Sequence, residues 1–343
     1  MEKMKVAMYY RNNDVRIEEM PIPVISEDEI LVKVISSGIC GSDVLEWYRI
    51  KTAPRVLGHE ISGEITQVGK KVKKFSKGNR VFVSHHVPCD DCHYCKQGHH
   101  TACETLHKTN FHPGGFSQFL KVPKINVEKG TFILPKNVSF DDATFIEPLG
   151  CVARGQRLID IKSAESVLIL GSGISGLLHI KLAKAIGIKK IFATDISDYR
   201  LNAAKQAGAI PLNAKENIPE KLKVINKGLL ADRVIVCTGA SAAIEQALNS
   251  VERGGTILFF AVPKPEEKTC LSLSNLWRNE ITLKTSYAAS PQDLKEAIVL
   301  IEKKKITLND LITHTLPLSD AQKGFHLVAK ADESIKVVLH PQE

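Results

Sequence analysis

Four of the chain's eight cysteines stand close together in CDDCHYCKQGHHTAC, residues 89 to 103. Cys89, Cys92, Cys95 and Cys103 follow the spacing C-x2-C-x2-C-x7-C. That spacing lets a tight loop turn four sulfurs inward toward one ion about 2.3 Å from each. Zinc suits four thiolates, brings no redox chemistry and keeps no open position here, so the expectation is a structural staple. Disulfides would close tiny loops in what is expected to be a reducing compartment. A nucleic-acid-binding zinc ribbon is disfavoured because Asp90, Asp91 and Glu104 offset Lys96. His93, His99 and His100 are then spare residues of the loop surface.

Three further fragments carry ligand-type side chains: GICGSD (38 to 43), VLGHEISG (56 to 63) and IEPLG (146 to 150). Each sets such a side chain near glycine, where the backbone turns sharply and a metal or substrate approaches closely. Cys40 offers a thiolate, His59 a neutral imidazole, and Glu60 or Glu147 a carboxylate. Three protein ligands with one exchangeable position is the arrangement of catalytic zinc. Singly, each has an ordinary reading: a small buried cysteine, a core histidine, a residue beside a helix start. A dinucleotide motif elsewhere in the chain changes that weighting.

The motif is SVLILGSGISGLLHIKLAKAIG, residues 166 to 187. Val167 to Leu170 reads as a buried parallel strand. Gly171, Gly173 and Gly176, with Ile174 and Ser175 between them, form G-x-G-x-x-G ahead of a helix. The glycines allow a tight turn, close approach of a pyrophosphate and close helix–strand packing. A second strand, KIFATD, ends in Asp195, which suits both ribose hydroxyls of NAD and repels the extra phosphate of NADP. Arg200, five residues on, is the one nearby group that would favour NADP. Strand-like runs at DRVIVCTG (232 to 239), GTILFFAV (255 to 262) and EITLKTSY (280 to 287) continue the alternation of a doubly wound sheet.

These side chains need two frameworks to hold them, and 343 residues suffice for two domains. The apolar share of 43% and charged share of 24% are those of a soluble globular protein. No apolar run is long enough to span a membrane, and MEKMKVAMYY lacks the features of a signal peptide. A cytoplasmic protein is therefore expected, with no membrane partner. The formal charge of +8 is densest at Lys70, Lys71, Lys73 and Lys74. That cluster reads as a solvated turn between strands, since no aromatic residues interleave it as in a nucleic-acid groove. No nucleic-acid partner is expected.

Taken with LITHTLPLSDAQKGF near the end, these motifs resemble the zinc-containing medium-chain dehydrogenases, in the branch of sorbitol (polyol) and threonine 3-dehydrogenases. The resemblance covers nearly the whole chain. It implies an α/β protein with a β-rich GroES-like catalytic domain over 1–150, carrying the structural zinc lobe at about 85–107. It further implies a Rossmann NAD-binding domain over 151–288 and a return to the catalytic domain over 289–343. By motif, Cys40, His59 and Glu147 occupy positions that ligate or neighbour the catalytic zinc. Glu60 occupies the position that ligates it in polyol-type members. Ser42 looks like the hydroxyl that passes on the alcohol proton. Cys237, Thr238 and Gly239, with AVP and its Val262, look like walls of the nicotinamide pocket. Two zinc ions per chain and a homotetramer or dimer are implied by the same resemblance.

Two departures mark this chain. Relatives commonly place a histidine where Leu45 stands, and polyol-type members often place an arginine where Ala288 aligns. Both losses remove polar contacts to substrate. The relay then ends elsewhere or runs through water, with His85 or His86 as a substitute against their plainer reading as structural or surface residues, while Trp47 and Tyr48 offer an apolar wall or ordinary packing. The expected activity is zinc-dependent, reversible oxidation of a secondary alcohol (a polyol, sugar alcohol or 3-hydroxy amino acid) with hydride transfer to NAD. The competing readings are a zinc-free quinone-type reductase and a nucleotide-sensing zinc protein that binds nucleic acid. Cys151, Cys237 and Cys270 have no evident metal partners and read as packing residues.

Overall fold

In the computed structural model, which describes residues 2–343, the apolar run Ser166–Leu170 is a strand buried along its whole length. Such a run belongs in the middle of a parallel sheet covered on both faces. It is β1 of a six-stranded parallel sheet whose other strands are β2 (Lys190–Asp195), β3 (Ile210–Asn213), β4 (Ala231–Val236), β5 (Val251–Phe259) and β6 (Thr282–Thr285). The order across the sheet is β3-β2-β1-β4-β5-β6, the order of a doubly wound dinucleotide fold, with its reversal between β1 and β4. In register, Leu168 faces Phe192 on one side and Val234 on the other. β5 starts earlier than GTILFFAV suggests. Val251 already pairs with Ala231, and a register shift comes next, with Gly254 at φ +69° inside the irregular stretch. β6 is shorter than its apolar run, ending at Thr285.

This sheet lies in one of two compact units, Cys151–Tyr287; the other comprises the residues up to Gly150 together with Ala288–Glu343. The second unit is built on a mainly antiparallel sheet. Its central strand, Ile30–Ile39, pairs with Glu60–Val68, Phe119–Val122 and the late strand Lys336–His340. Alternate residues Ile30, Val32 and Val34 turn inward and pack with Ile61, Ile65 and Val81. In the register of these pairings, Gly38 faces Glu60, and Ile39 faces Val337. Residues just past Ile39, just before Glu60 and at the start of the late strand therefore meet at one end of the sheet.

Lys70, Lys71, Lys73 and Lys74 occupy the turn between Glu60–Val68 and Arg80–Val83, with Lys71 paired to Glu27 at 2.9 Å. No helix is long and apolar enough to cross a membrane among the described residues.

Candidate functional site

Cys40 comes directly after the central strand and caps a short 3-10 turn, Gly41–Val44. The amide of Ser42 donates to Cys40 Sγ at 3.4 Å, and the amide of Cys40 donates to Asp43 Oδ2 at 3.1 Å. The neighbouring strand brings His59 and Glu60 alongside. One donor atom each from Cys40, His59 and Glu60 lies within 4.8 Å of the others. Glu147, in the first turn of the helix Ile146–Leu158, is outside that set.

Asp43 lies behind this trio, fully buried. Its Oδ1 is 3.4 Å from His59 Nδ1 and 3.3 Å from an Arg49 Nη2. Burial disfavours the Asp43 charge, but His59 and Arg49 outweigh it and hold the carboxyl below its usual range. Burial likewise opposes a charged His59. Asp43 and then Cys40 reverse that and raise its pKa well above the usual imidazole value. The imidazole, set between Asp43 and Cys40, is thus placed where positive charge is drawn, either a proton or a metal ion. Soft sulfur, imidazole and carboxylate in one set suit zinc. The Asp43–His59 contact is the support that metal-binding histidines use to fix ring orientation.

Glu60 carries a second partner. Lys336 Nζ donates to Glu60 Oε2, and both side chains are buried. The lysine also lies over the Phe145 ring, 5.2 Å from its centroid. A side chain on Gly38 would collide with this pair, so the glycine is what admits it.

Ser42 is held by Arg49. One turn of helix, Glu46–Arg49, starts after Leu45, and the amide of Arg49 donates back to the Leu45 carbonyl at 3.0 Å. That turn returns the guanidinium to Ser42, where Nε donates to the carbonyl at 2.9 Å and Nη2 to Oγ at 3.0 Å. Ser42 is thus contacted by an arginine, which has no acceptor for a proton. Tyr48 is exposed and lies under the Arg49 guanidinium at 4.8 Å, while Trp47 is half-buried.

His85 stacks near His59, with ring centroids 4.9 Å apart, and near His86 at 3.7 Å. Burial, then the charges of its neighbours, push His85 well below the usual imidazole range, and His86 falls to about 3 for the same reasons. His85 Nδ1 is buried without a hydrogen-bond partner.

In the cysteine lobe, all four sulfurs lie within 4.8 Å of one another. Cys92 to Cys95 and Cys89 to Cys103 are each 3.6 Å apart. A disulfide needs about 2.05 Å, whereas a tetrahedron with 2.3 Å bonds has edges of about 3.8 Å. The amides of Cys89 and Cys92 donate to the sulfurs of Cys103 and Cys89 at 3.4 and 3.3 Å. Burial pushes Cys95 up to about 12. In Cys103 burial is outweighed by the amides of Cys89 and Leu106 and by its neighbouring thiols, to about 6. His93 opens a short helix, His93–Lys96, and His99 is exposed.

In the parallel sheet, Gly171 comes directly after β1 with φ +95°, and Gly173 caps the helix Ile174–Ala185, whose first turn includes Ser175 and Gly176. A side chain on Gly176 would collide with the Gly171 carbonyl. The four free amides of the helix start thus lie over a close-approach loop, as a pyrophosphate requires. Asp195 ends β2, where Oδ2 accepts from the Ser172 amide at 2.9 Å and Oδ1 from the Ser197 amide at 3.0 Å. The Arg200 guanidinium lies over Gly173, where a side chain would come within 3.8 Å of it, and its Nε is buried without a partner. Cys237 and Thr238 pack against Gly171, and the Val262 carbonyl crowds the place a side chain on Gly239 would take. Cys151 and Cys237 are half-buried and Cys270 is exposed.

Sequence reasoning passed over Asp43, Arg49 and Lys336. Asp43 was legible inside GICGSD as an acid next to a ligand-type cysteine. Lys336 was visible only as a lone cation in the apolar strand KVVLH. Arg49 carried no signal beyond its spacing from Leu45.

Comparison with known proteins finds the family model "Alcohol dehydrogenase GroES-like domain" over residues 26–132 and "Zinc-binding dehydrogenase" over residues 175–303. The chain is 30% identical to a sorbitol dehydrogenase of Bacillus subtilis, over 99% of its own length and 98% of that protein. It is 34% identical to an L-threonine 3-dehydrogenase of Bacillus velezensis, over 95% of each chain. Among solved structures, an alcohol dehydrogenase of Escherichia coli CFT073 complexed with NADH superposes with a TM-score of 0.88 at 27% identity, covering 99% of this chain and 100% of that one.

Proposed function

Because the chain belongs to the zinc-containing medium-chain alcohol dehydrogenases, we propose that Cys40, His59 and Glu60 hold its catalytic zinc and that the enzyme oxidises the secondary hydroxyl of a polyol-like substrate with NAD. The observation that carries this reading is the convergence of those three donors within 4.8 Å, backed by the buried Asp43. Glu147 is then a neighbour that acts through water. Cys89, Cys92, Cys95 and Cys103 hold a second, structural ion. When bound, zinc polarises the alcohol oxygen as a Lewis acid and NAD accepts the hydride.

The protein's own work is orientation and proton handling. Asp43 fixes the tautomer of His59, so that the nitrogen away from Nδ1 faces the ion. Ser42 Oγ accepts one hydrogen bond from Arg49, which leaves a lone pair for the substrate's proton and its own proton free to leave. Since arginine takes no proton, the onward route runs through water or the cofactor ribose. Gly171, Gly173, Ile174, Ser175 and Gly176 receive the pyrophosphate, with Arg200 beside it. Asp195 accepts the ribose hydroxyls and disfavours NADP. Cys237, Thr238, Gly239 and Val262 wall the nicotinamide. Our reading extends to a cytoplasmic homo-oligomer, tetramer or dimer, and to no nucleic-acid partner.

The test is NADH formation, followed by absorbance, across polyols, L-threonine and simple secondary alcohols, before and after zinc removal and restoration. Zinc-restorable turnover on one class is expected. Full activity in a protein with a single zinc per chain would overturn the assignment.

A further inference from the structure

We propose that this enzyme selects an anionic secondary alcohol, one bearing a carboxylate or a phosphate, and that Arg49, assisted by Arg55, binds the anionic group. The proposal rests on the reading of Cys40, His59, Glu60 and Ser42 as the reacting centre.

The observation is a local imbalance of charge beside Ser42. Arg49 is largely buried and spends Nε and Nη2 on Ser42 and Asp43, while Nη1 has no partner among the described residues. Its one carboxylate, Asp43, is shared with His59. Arg55 lies four residues ahead of His59, on the short strand Arg55–Val56. It is half-buried and has no ion pair among the described residues, and its only hydrogen bond is a long one, 3.5 Å, to Thr52. Burial, and next the Arg49 charge, lower its proton affinity, so the two guanidiniums feel one another. Glu46, the remaining acid on this segment, is turned to the Asn12 amide at 2.9 Å. Two cations thus stand against one already engaged carboxylate.

Such an excess is costly in a half-buried place unless an anion relieves it. Guanidinium is also the side chain whose fork fits carboxylate and phosphate oxygens. Its position makes the contact part of the reacting centre. Arg49 is one hydrogen bond from Ser42 Oγ, and the Ser42 amide is bonded to Cys40 Sγ. An anion on Arg49 therefore sits a few bonds from the hydroxyl being oxidised. The polar contact removed by Leu45 is restored four residues later with a formal charge.

The experiment uses the zinc-loaded enzyme with three matched probes: sorbitol, D-gluconate and sorbitol 6-phosphate. Two readouts are taken: kcat and KM for NADH formation, and calorimetric binding of each probe to the NADH complex. The expected result is kcat/KM at least thirtyfold higher, and binding at least tenfold tighter, for one anionic probe than for sorbitol. The better of the two anions identifies carboxylate or phosphate as the group read. In Arg49→Gln the ratio of anionic to neutral kcat/KM should fall at least tenfold, mainly through KM, and Arg49→Lys should restore part of it. Equal losses on anionic and neutral probes would make Arg49 a purely structural support and overturn the proposal. So would wild-type binding that does not distinguish sorbitol from the anions. If nothing turns over while zinc and NADH are bound, the dehydrogenase reading of the site fails, and the calorimetric ratio still decides the role of Arg49.

Discussion

Asp43 is a side chain with three duties. It receives the Cys40 amide, orients His59 and anchors Arg49. Replacing it with asparagine keeps the shape but removes the charge that holds the imidazole in place. Outer-shell partners of this kind are worth about 10- to 100-fold in metal affinity or activity. Asp43→Asn should therefore lose zinc from the Cys40 site on dialysis and drop kcat/KM by about that factor, while metal analysis still finds the ion of the cysteine lobe. The three converging side chains, Cys40, His59 and Glu60, were legible because cysteine, histidine and glutamate beside glycine are few and chemically distinctive, though the same rule also pointed to Glu147, which lies outside the set. Their supports were not. Lys336 lies 276 residues from Glu60, and no spacing rule connects positions brought together only by a sheet register.

Among the elements, the glycine loop binds sequence to geometry most tightly. Gly176 is required because its Cα faces the Gly171 carbonyl with no room for a methyl group. Gly176→Ala must push the helix Ile174–Ala185 away from β1, and with it the amides meant for the pyrophosphate. NADH affinity, read by fluorescence titration, should weaken at least tenfold while the zinc content is unchanged. Gly173 has only the tips of Arg200 at 3.8 Å or beyond, so alanine there should cost much less. Strand existence in this sheet was readable from apolar runs such as SVLIL. Strand ends were not, since the Gly254 irregularity carries β5 back to Val251 and so lengthens it beyond its apolar run.

For the whole molecule, buried histidines link stability to pH. His179 is fully buried in the helix Ile174–Ala185, next to Gln156 at 3.3 Å and edge-on to Phe260 at 4.6 Å. Burial lowers its pKa to about 3. The unfolded chain, with an ordinary imidazole, binds a proton that the folded chain refuses, so stability is complete above about pH 6.5 and declines as the pH falls toward 3. At pH 5.5 the loss from this residue alone is about 1.4 kcal/mol. The unfolding free energies extrapolated from urea at pH 7 and 5.5 should differ by nearly that amount in the transition of the Cys151–Tyr287 unit, and His179→Gln should flatten the difference.

The pairing of Lys336–His340 with Ile30–Ile39 also imposes an order in time. A ribosome delivers Cys40, His59 and Glu60 early and the Lys336 strand last, with the whole of Cys151–Tyr287 made in between. Domains that form during synthesis tend to do so from the N-terminal side. Here the intervening unit Cys151–Tyr287 has all its strands before the antiparallel sheet receives Lys336–His340. Through most of translation Glu60 is without the Lys336 ammonium that it has in the folded chain. On the reading proposed above, a nascent chain has every strand for holding a nucleotide before Glu60 receives the lysine that completes its surroundings.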